Sequence, residues 1–200
     1  DGTGLTKVSR TNYEDHGSIG TYSVKAQRRA YIKYNPDGLQ ELYFGNIDGT
    51  YMAMIYSNAS FTGGLHELLI SPDGRSILLS LSDSTSGTMR EYLVRINTES
   101  GVRTDLVALN NYSYTRLVDI ASDKALVISS GFGDPNYDIY GVDLLSGTHS
   151  QFTTNTISEI KAYYSPDLQS IYYYDSRDLK TDLYVKRAPS YQEERLTSSG

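Results

Sequence analysis

Apolar and polar positions alternate in short runs along this chain, and no stretch keeps a helical period over three turns. Leu65-His66-Glu67-Leu68-Leu69-Ile70 runs into Ser71-Pro72-Asp73-Gly74 and then into Arg75-Ser76-Ile77-Leu78-Leu79-Ser80-Leu81. Proline presets φ at a turn's first corner, and Asp and Gly accept the conformations that follow, so the pattern reads strand, turn, strand. Two more strands, Arg90 to Ile96 and Val102 to Ala108, are joined by Asn97-Thr98-Glu99-Ser100-Gly101. The product is a four-stranded antiparallel meander of propeller-blade length, about 40–50 residues. Ile77-Leu78-Leu79 and Ala125-Leu126-Val127-Ile128 are continuously apolar. That pattern requires burial on both faces, which blades stacked face to face provide.

The unit recurs. Ser71 has counterparts at Ser23, Ala121 and Ser165. The third strand opens on an acid each time, at Glu41, Glu91, Asp138 and Asp182, ahead of Leu-Tyr, Tyr-Leu, Ile-Tyr and Leu-Tyr. The turn before the fourth strand is Asp48-Gly49, Ser100-Gly101, Ser146-Gly147 and a variant, Pro189-Ser190. These landmarks place blade I at 18–57, blade II at 65–108, blade III at 114–153 and blade IV at 158–198. Residues 1–9 read as the outer strand of a preceding blade, because Asp1 to Val8 matches Asp48 to Ile55. The expected fold is all-β: a β-propeller region of four-stranded meander blades, forming an arc of a larger propeller of about six to eight blades.

Composition narrows the function. The net charge of −6 with no basic block argues against nucleic acid. No run of 18 apolar residues exists to span a membrane as a helix. With no cysteine, neither disulfides nor thiolate metal sites are available, a composition at ease in the periplasm or outside the cell. Tyrosine stands out at 19 residues against 4 Phe and no Trp, which suits half-buried strand positions where the ring packs and the hydroxyl stays wet.

The Ser-Pro-Asp-Gly turn, the acid before a Leu/Ile-Tyr strand and the Asp-Gly or Ser-Gly turn resemble the TolB-like propeller repeat. Blade II matches best. Blade IV departs at Leu168, in the Gly position, and blades I and III keep the spacing without the turn signature. The resemblance implies a propeller and a periplasmic or extracellular setting. It leaves function open among TolB proteins, the propellers that gate prolyl-oligopeptidase-like enzymes, oligogalacturonate lyases and uncharacterised surface proteins.

Motifs that carry chemistry are sparse in this sequence. There is no Gly-x-Ser-x-Gly elbow, no His-Glu-x-x-His and no phosphate-cradling Gly loop. No catalytic residue, metal or cofactor is expected. The repeated acids read as caps for backbone donors or partners of the next blade rather than a metal ring. Asp134 to Asp138 resembles only part of an oxygen-ligand calcium loop. Asn58-Ala59-Ser60 and Asn111-Tyr112-Ser113 fit the glycosylation acceptor pattern.

In a meander blade, the connections between blades and those between strands two and three share one end. Those are the long ones here: 10–17, 58–64, 82–89, 109–113, 131–136 and 175–181. Long loops on a rigid scaffold are where binding sits. The expected function is non-catalytic docking of a protein, peptide or glycan at that end, with Tyr13, Asp15, His16, His66, Asn111, Tyr112, Tyr114, Arg116 and Asp134 as candidate contacts. The alternative is the propeller portion of an enzyme, a peptidase or polysaccharide lyase whose catalytic residues lie largely elsewhere. Further expected partners are the remaining blades of the same parent chain.

Overall fold

The computed structural model describes residues 19–59, 63–84, 90–109, 115–130, 137–154, 159–177 and 180–198. They form four antiparallel sheets of four strands each and no helix. Blade I holds β1 (Ile19–Ser23), β2 (Arg28–Tyr34), β3 (Gln40–Asn46) and β4 (Ala53–Ser57). Blade II holds β5 (Leu65–Ile70), β6 (Ser76–Asp83), β7 (Arg90–Asn97) and β8 (Arg103–Ala108). Blade III holds β9 (Thr115–Ala121), β10 (Lys124–Ser129), β11 (Asp138–Asp143) and β12 (His149–Gln151). Blade IV holds β13 (Glu159–Tyr164), β14 (Ser170–Arg177), β15 (Lys180–Arg187) and β16 (Gln192–Arg195). Strands pair in chain order within each sheet. The first strands of consecutive blades abut, β1 on β5, β5 on β9 and β9 on β13. This is the architecture of a β-propeller.

Three apolar seams hold the blades together. Ala30, Ile32 and Leu42 of blade I meet Ile77, Leu79 and Leu81 of blade II. Leu78 and Leu93, on the other face of blade II, meet Ala125, Val127 and Tyr140 of blade III. Leu126, Ile128 and Ile139 then meet Ile171, Tyr173 and Tyr184 of blade IV. Successive residues of a strand point to opposite faces, so Ile77–Leu79 of β6 and Ala125–Ile128 of β10 are unbroken apolar runs because each strand serves two seams. β2 and β14 each bury one face more deeply than the other.

The organising turn is closed by its own side chains. The Ser71 hydroxyl donates to Asp73 Oδ1 at 2.6 Å and accepts the Ser76 N–H at 3.0 Å, while Asp73 also accepts the Arg75 N–H at 3.0 Å. Blade IV repeats this with Ser165, Asp167, Gln169 and Ser170. Gly74 sits at φ 73°, and Leu168 takes the same left-handed conformation at φ 60°. Blades I and III solve the corner differently, with Gln27 at φ 55° and Ser122 at φ 58°. The Ser-Gly turns have a second reason for glycine. A Cβ on Gly101 would lie 2.4 Å from the Ile55 carbonyl oxygen of blade I, and one on Gly147 would lie 2.4 Å from that of Leu106 in blade II.

β4 begins only at Ala53, because Tyr51 lies in a turn at φ 53°. One connection differs from the sequence reading. The stretch 175–181, read as a loop, is mostly a continuation of the β14–β15 hairpin, paired out to Arg177 and Lys180. The proposed outer strand at 1–9 lies outside the described residues.

Candidate functional site

Of the nine candidate contacts, Tyr13, Asp15, His16, Asn111, Tyr112, Tyr114 and Asp134 lie outside the described residues. His66 and Arg116 are described, and the fold does not bring them together. His66 Nε2 lies 3.0 Å from Ser82 Oγ. Leu81 faces blade I, so Ser82, one residue on, faces blade III, and His66 with it. Arg116 pairs across the ladder with Ile128, whose side chain belongs to the seam with blade IV.

The long-loop end of the seam between blades II and III is polar on both walls. On blade II, Ser82 is the cross-strand partner of Glu91, so both face blade III. Ser82 Oγ also accepts the Gly64 N–H at 3.0 Å. Partial burial holds the His66 pKa below the ordinary value, so the neutral ring is favoured. Opposite, the hydroxyls of Thr115 and Ser129 lie 2.8 Å apart. Asp138, 0 % exposed, accepts from the Thr153 hydroxyl at 3.0 Å and the Gln151 amide at 3.1 Å. Beside these, the Glu67 carboxylate crosses the seam to accept the Leu117 N–H at 2.6 Å. Sequence reasoning missed Ser82, Thr115 and Ser129, since a lone hydroxyl in a strand carries no pattern; only cross-strand register assembles them.

The repeated acids are not a ring. Leu42 faces blade II, Ile139 faces blade IV, and Tyr184 faces blade III. Alternation therefore turns Glu41, Asp138 and Asp182 toward the preceding-blade side of their sheets. Tyr92 belongs to the blade I–II seam, so Glu91 points the other way. Spacing alone aligned Glu91 one residue out of step. The acids act within their own blades: Thr153 and Thr197 each donate a hydroxyl to Asp138 or Asp182 and accept the N–H of Ile139 or Leu183. Asp182 also pairs with Arg195. Asp138 is thus a strand residue whose carboxylate accepts from Thr153 and Gln151, while Asp134, at the other end of the stretch that resembles part of a calcium loop, lies outside the described residues. Among the described residues, no group of three or more His, Asp or Glu is placed to hold a metal ion.

Asn58 is not an available glycosylation acceptor in the fold. It is 7 % exposed, its carbonyl accepts the Gln40 N–H at 2.8 Å, and its amide donates to the Gly63 carbonyl at 3.0 Å. His149 lies exposed on β12, edge-on to Tyr140.

No family model and no curated protein sequence matches this chain. Solved structures do. An oligogalacturonate lyase in complex with manganese superposes with a TM-score of 0.67 at 13 % identity, over 90 % of this chain and 52 % of the lyase. TolB from Acinetobacter baumannii gives 0.60 at 16 % identity, over 90 % of this chain and 43 % of TolB. A prolyl endopeptidase gives 0.64 at 16 % identity, over 87 % of this chain and 26 % of the enzyme. The fold is therefore a β-propeller of the kind these structures share. This chain spans about half the length of the lyase and less of the other two. At these identities the likeness concerns architecture alone.

Proposed function

We propose that this chain is a non-catalytic propeller scaffold that binds a protein, peptide or glycan at its long-loop end. The observation that carries the reading is the polar seam between blades II and III. His66 and Glu91, both partly exposed, face this seam on rigid strands, beside the buried Ser82 of the same blade and the buried Thr115, Ser129 and Asp138 of the next. At the opposite end, the turns at Ser71–Gly74 and Ser165–Leu168 spend their polar groups on their own backbone. A likeness to TolB fits a protein partner and a periplasmic or extracellular setting. Among the described residues, no helix is long and apolar enough to cross a membrane.

The test is a peptide and glycan array probed with the labelled chain, repeated with His66→Ala and, at the opposite end, Lys25→Ala. Binding lost in the first variant and kept in the second supports the reading. Absence of any ligand, or the reverse pattern, overturns it. A second reading, the propeller portion of a peptidase or polysaccharide lyase, draws support from the endopeptidase and the lyase among the structural neighbours. It predicts turnover of a peptide or oligogalacturonate only when a catalytic part outside this segment is supplied.

A further inference from the structure

The end of the fold opposite the long loops presents apolar side chains at regular intervals. Among the described residues, the five most exposed large apolar side chains are Tyr51, Tyr22, Leu145, Val24 and Val102, and all lie in or beside the turns of that end. Three of them recur once per blade: Tyr51, Val102 and Leu145 each sit in the turn between the third and fourth strands of blades I, II and III. Apolar residues exposed singly mean little, whereas a patterned set marks an interaction surface. The exposure does not depend on what flanks the four blades. Blades II and III have a blade on either side, yet Val102 and Leu145 remain 59 % and 67 % exposed. The main chain of these turns is already bonded within them, Gly49 N–H to Asn46, Gly101 N–H to Asn97 and Gly147 N–H to the Asp143 carbonyl. What a partner meets there is therefore side chain.

Spacing and charge say what kind of partner. The turn of blade II leans on blade I where Gly101 meets the Ile55 carbonyl, and that of blade III leans on blade II where Gly147 meets that of Leu106. The three turns thus follow one another along the rim at the separation of stacked sheets, about 10 Å. An α-helix rises about 1.5 Å per residue, so every seventh residue also falls about 10 Å further along nearly the same face. Each apolar residue has an acid close by in the chain: Asp48 for Tyr51, Glu99 for Val102 and Asp143 for Leu145. The turns 47–52, 98–102 and 144–148 contain no lysine or arginine. Lys25, Arg75 and Lys124 adjoin the first turns, nearer the axis where the first strands abut, the last of them across the ladder from Asp143.

We infer that the turn-end rim of blades I to III docks a basic amphipathic helix of a partner protein, apolar at every seventh position with lysine or arginine beside it. The apolar residues of the helix seat against Tyr51, Val102 and Leu145, and its cations face Asp48, Glu99 and Asp143. An anionic membrane does not suit this rim, because the same acids would meet lipid phosphate. The surface lies at the opposite end from the long loops and stands whether or not that end binds.

The test is titration of the chain into fluorescently labelled, capped, alanine-rich peptides. One peptide carries leucine at three positions seven apart with lysine beside each. A second replaces the lysines with glutamate, and a third scrambles the spacing at the same composition. Binding of the first alone is expected, with a gain in helical circular dichroism. Val102→Ser with Leu145→Ser, both at exposed positions, should weaken it at least about tenfold while thermal unfolding stays cooperative. Glu99→Lys should weaken it and lessen its salt dependence. His66→Ala, at the other end, should leave it unchanged. No binding of the basic peptide, equal binding of the acidic or scrambled one, full affinity in Val102→Ser with Leu145→Ser, or loss in His66→Ala overturns the inference. So does tighter binding to phosphatidylserine vesicles than to phosphatidylcholine ones, since the surface would then be a membrane contact.

Discussion

The Asp119 carboxylate of blade III accepts the main-chain N–H of Tyr164 in blade IV at 2.7 Å, and Glu67 of blade II does the same for Leu117 in blade III at 2.6 Å. First strands are sheet edges, so they present unpaired N–H groups that a neighbouring strand would otherwise seek. A carboxylate from the preceding blade satisfies the donor without extending the sheet. A hydrogen bond to a charged group contributes about 1.5–3 kcal/mol. Asp119→Ala is therefore expected to lower the unfolding free energy by about that amount, and Asp119→Asn by less, because the amide oxygen still accepts. Urea denaturation measures both; equal losses would mean that charge and acceptor geometry play no part.

The left-handed corner of blade IV offers a gain in stability. Leu168 holds φ 60°, a conformation that costs a residue with a Cβ about 1–2 kcal/mol. Leu168→Gly relieves that cost, less about 0.5–1 kcal/mol for glycine's greater freedom when unfolded. A net gain of up to about 1 kcal/mol is expected. Gly74→Ala is the mirror experiment. It places a Cβ at φ 73° and 3.1 Å from that of Ala26, so a loss of about 1 kcal/mol should follow. Thermal midpoints of the two variants should move in opposite directions.

What was legible in the sequence tracks what local chemistry decides. Ser71–Gly74 and Ser165–Leu168 announce themselves because the hydrogen bonds that shape them lie within six residues. The double-faced burial of β6 and β10 was readable from unbroken apolar runs. Face assignment was less so: one residue of offset in β7 turns Glu91 away from the side that Glu41, Asp138 and Asp182 share. No composition reports such an offset when Glu91 and Tyr92 are both acceptable strand residues. The candidate site was legible only as an end of the fold. His66 drew attention as a titratable group, but Ser82, Thr115 and Ser129 become a site only through pairings that span 14 to 16 residues.

The Asp–Thr clasp of the third and fourth strands occurs at two burials, which separates geometry from desolvation. Thr153 is 1 % exposed, while Thr197, making the same pair of bonds, is exposed. Thr153→Val takes the hydroxyl from Asp138 Oδ1 and from the Ile139 N–H, away from water, leaving Asp138 its bond from Gln151, at a cost of about 1–3 kcal/mol. Water replaces the lost hydroxyl in Thr197→Val, and the change should stay near about 0.5 kcal/mol. Chemical denaturation of the pair tests this, and equal costs would show that burial does not set the value of the clasp.

The turn aspartates contribute to stability against acid. Hydroxyl donation from Ser71 and Ser165 holds Asp73 and Asp167 below the ordinary carboxylate value, and the Ser146 backbone N–H does the same for Asp143. A carboxyl that binds protons less readily folded than unfolded contributes stability above its unfolded value of about 4 and loses it as pH falls through the folded one. The melting temperature should therefore drop below about pH 4. That drop should be shallower in Asp73→Asn with Asp167→Asn, and an unchanged slope would remove these turns from the account.

His66 acts in a different window with its own sign. Burial disfavours the imidazolium, so the folded pKa lies under the unfolded value of about 6.5. Between the two, the unfolded chain binds more protons, and stability falls as the solution is made more acidic. Above about 6.5 neither state is protonated and the residue contributes no slope. Urea midpoints measured from neutral pH down to about 5 should decline for the native chain and stay level for His66→Asn. Ser82→Ala should keep the burial and so keep most of the decline. A decline of the same size in His66→Asn would place the titrating group elsewhere.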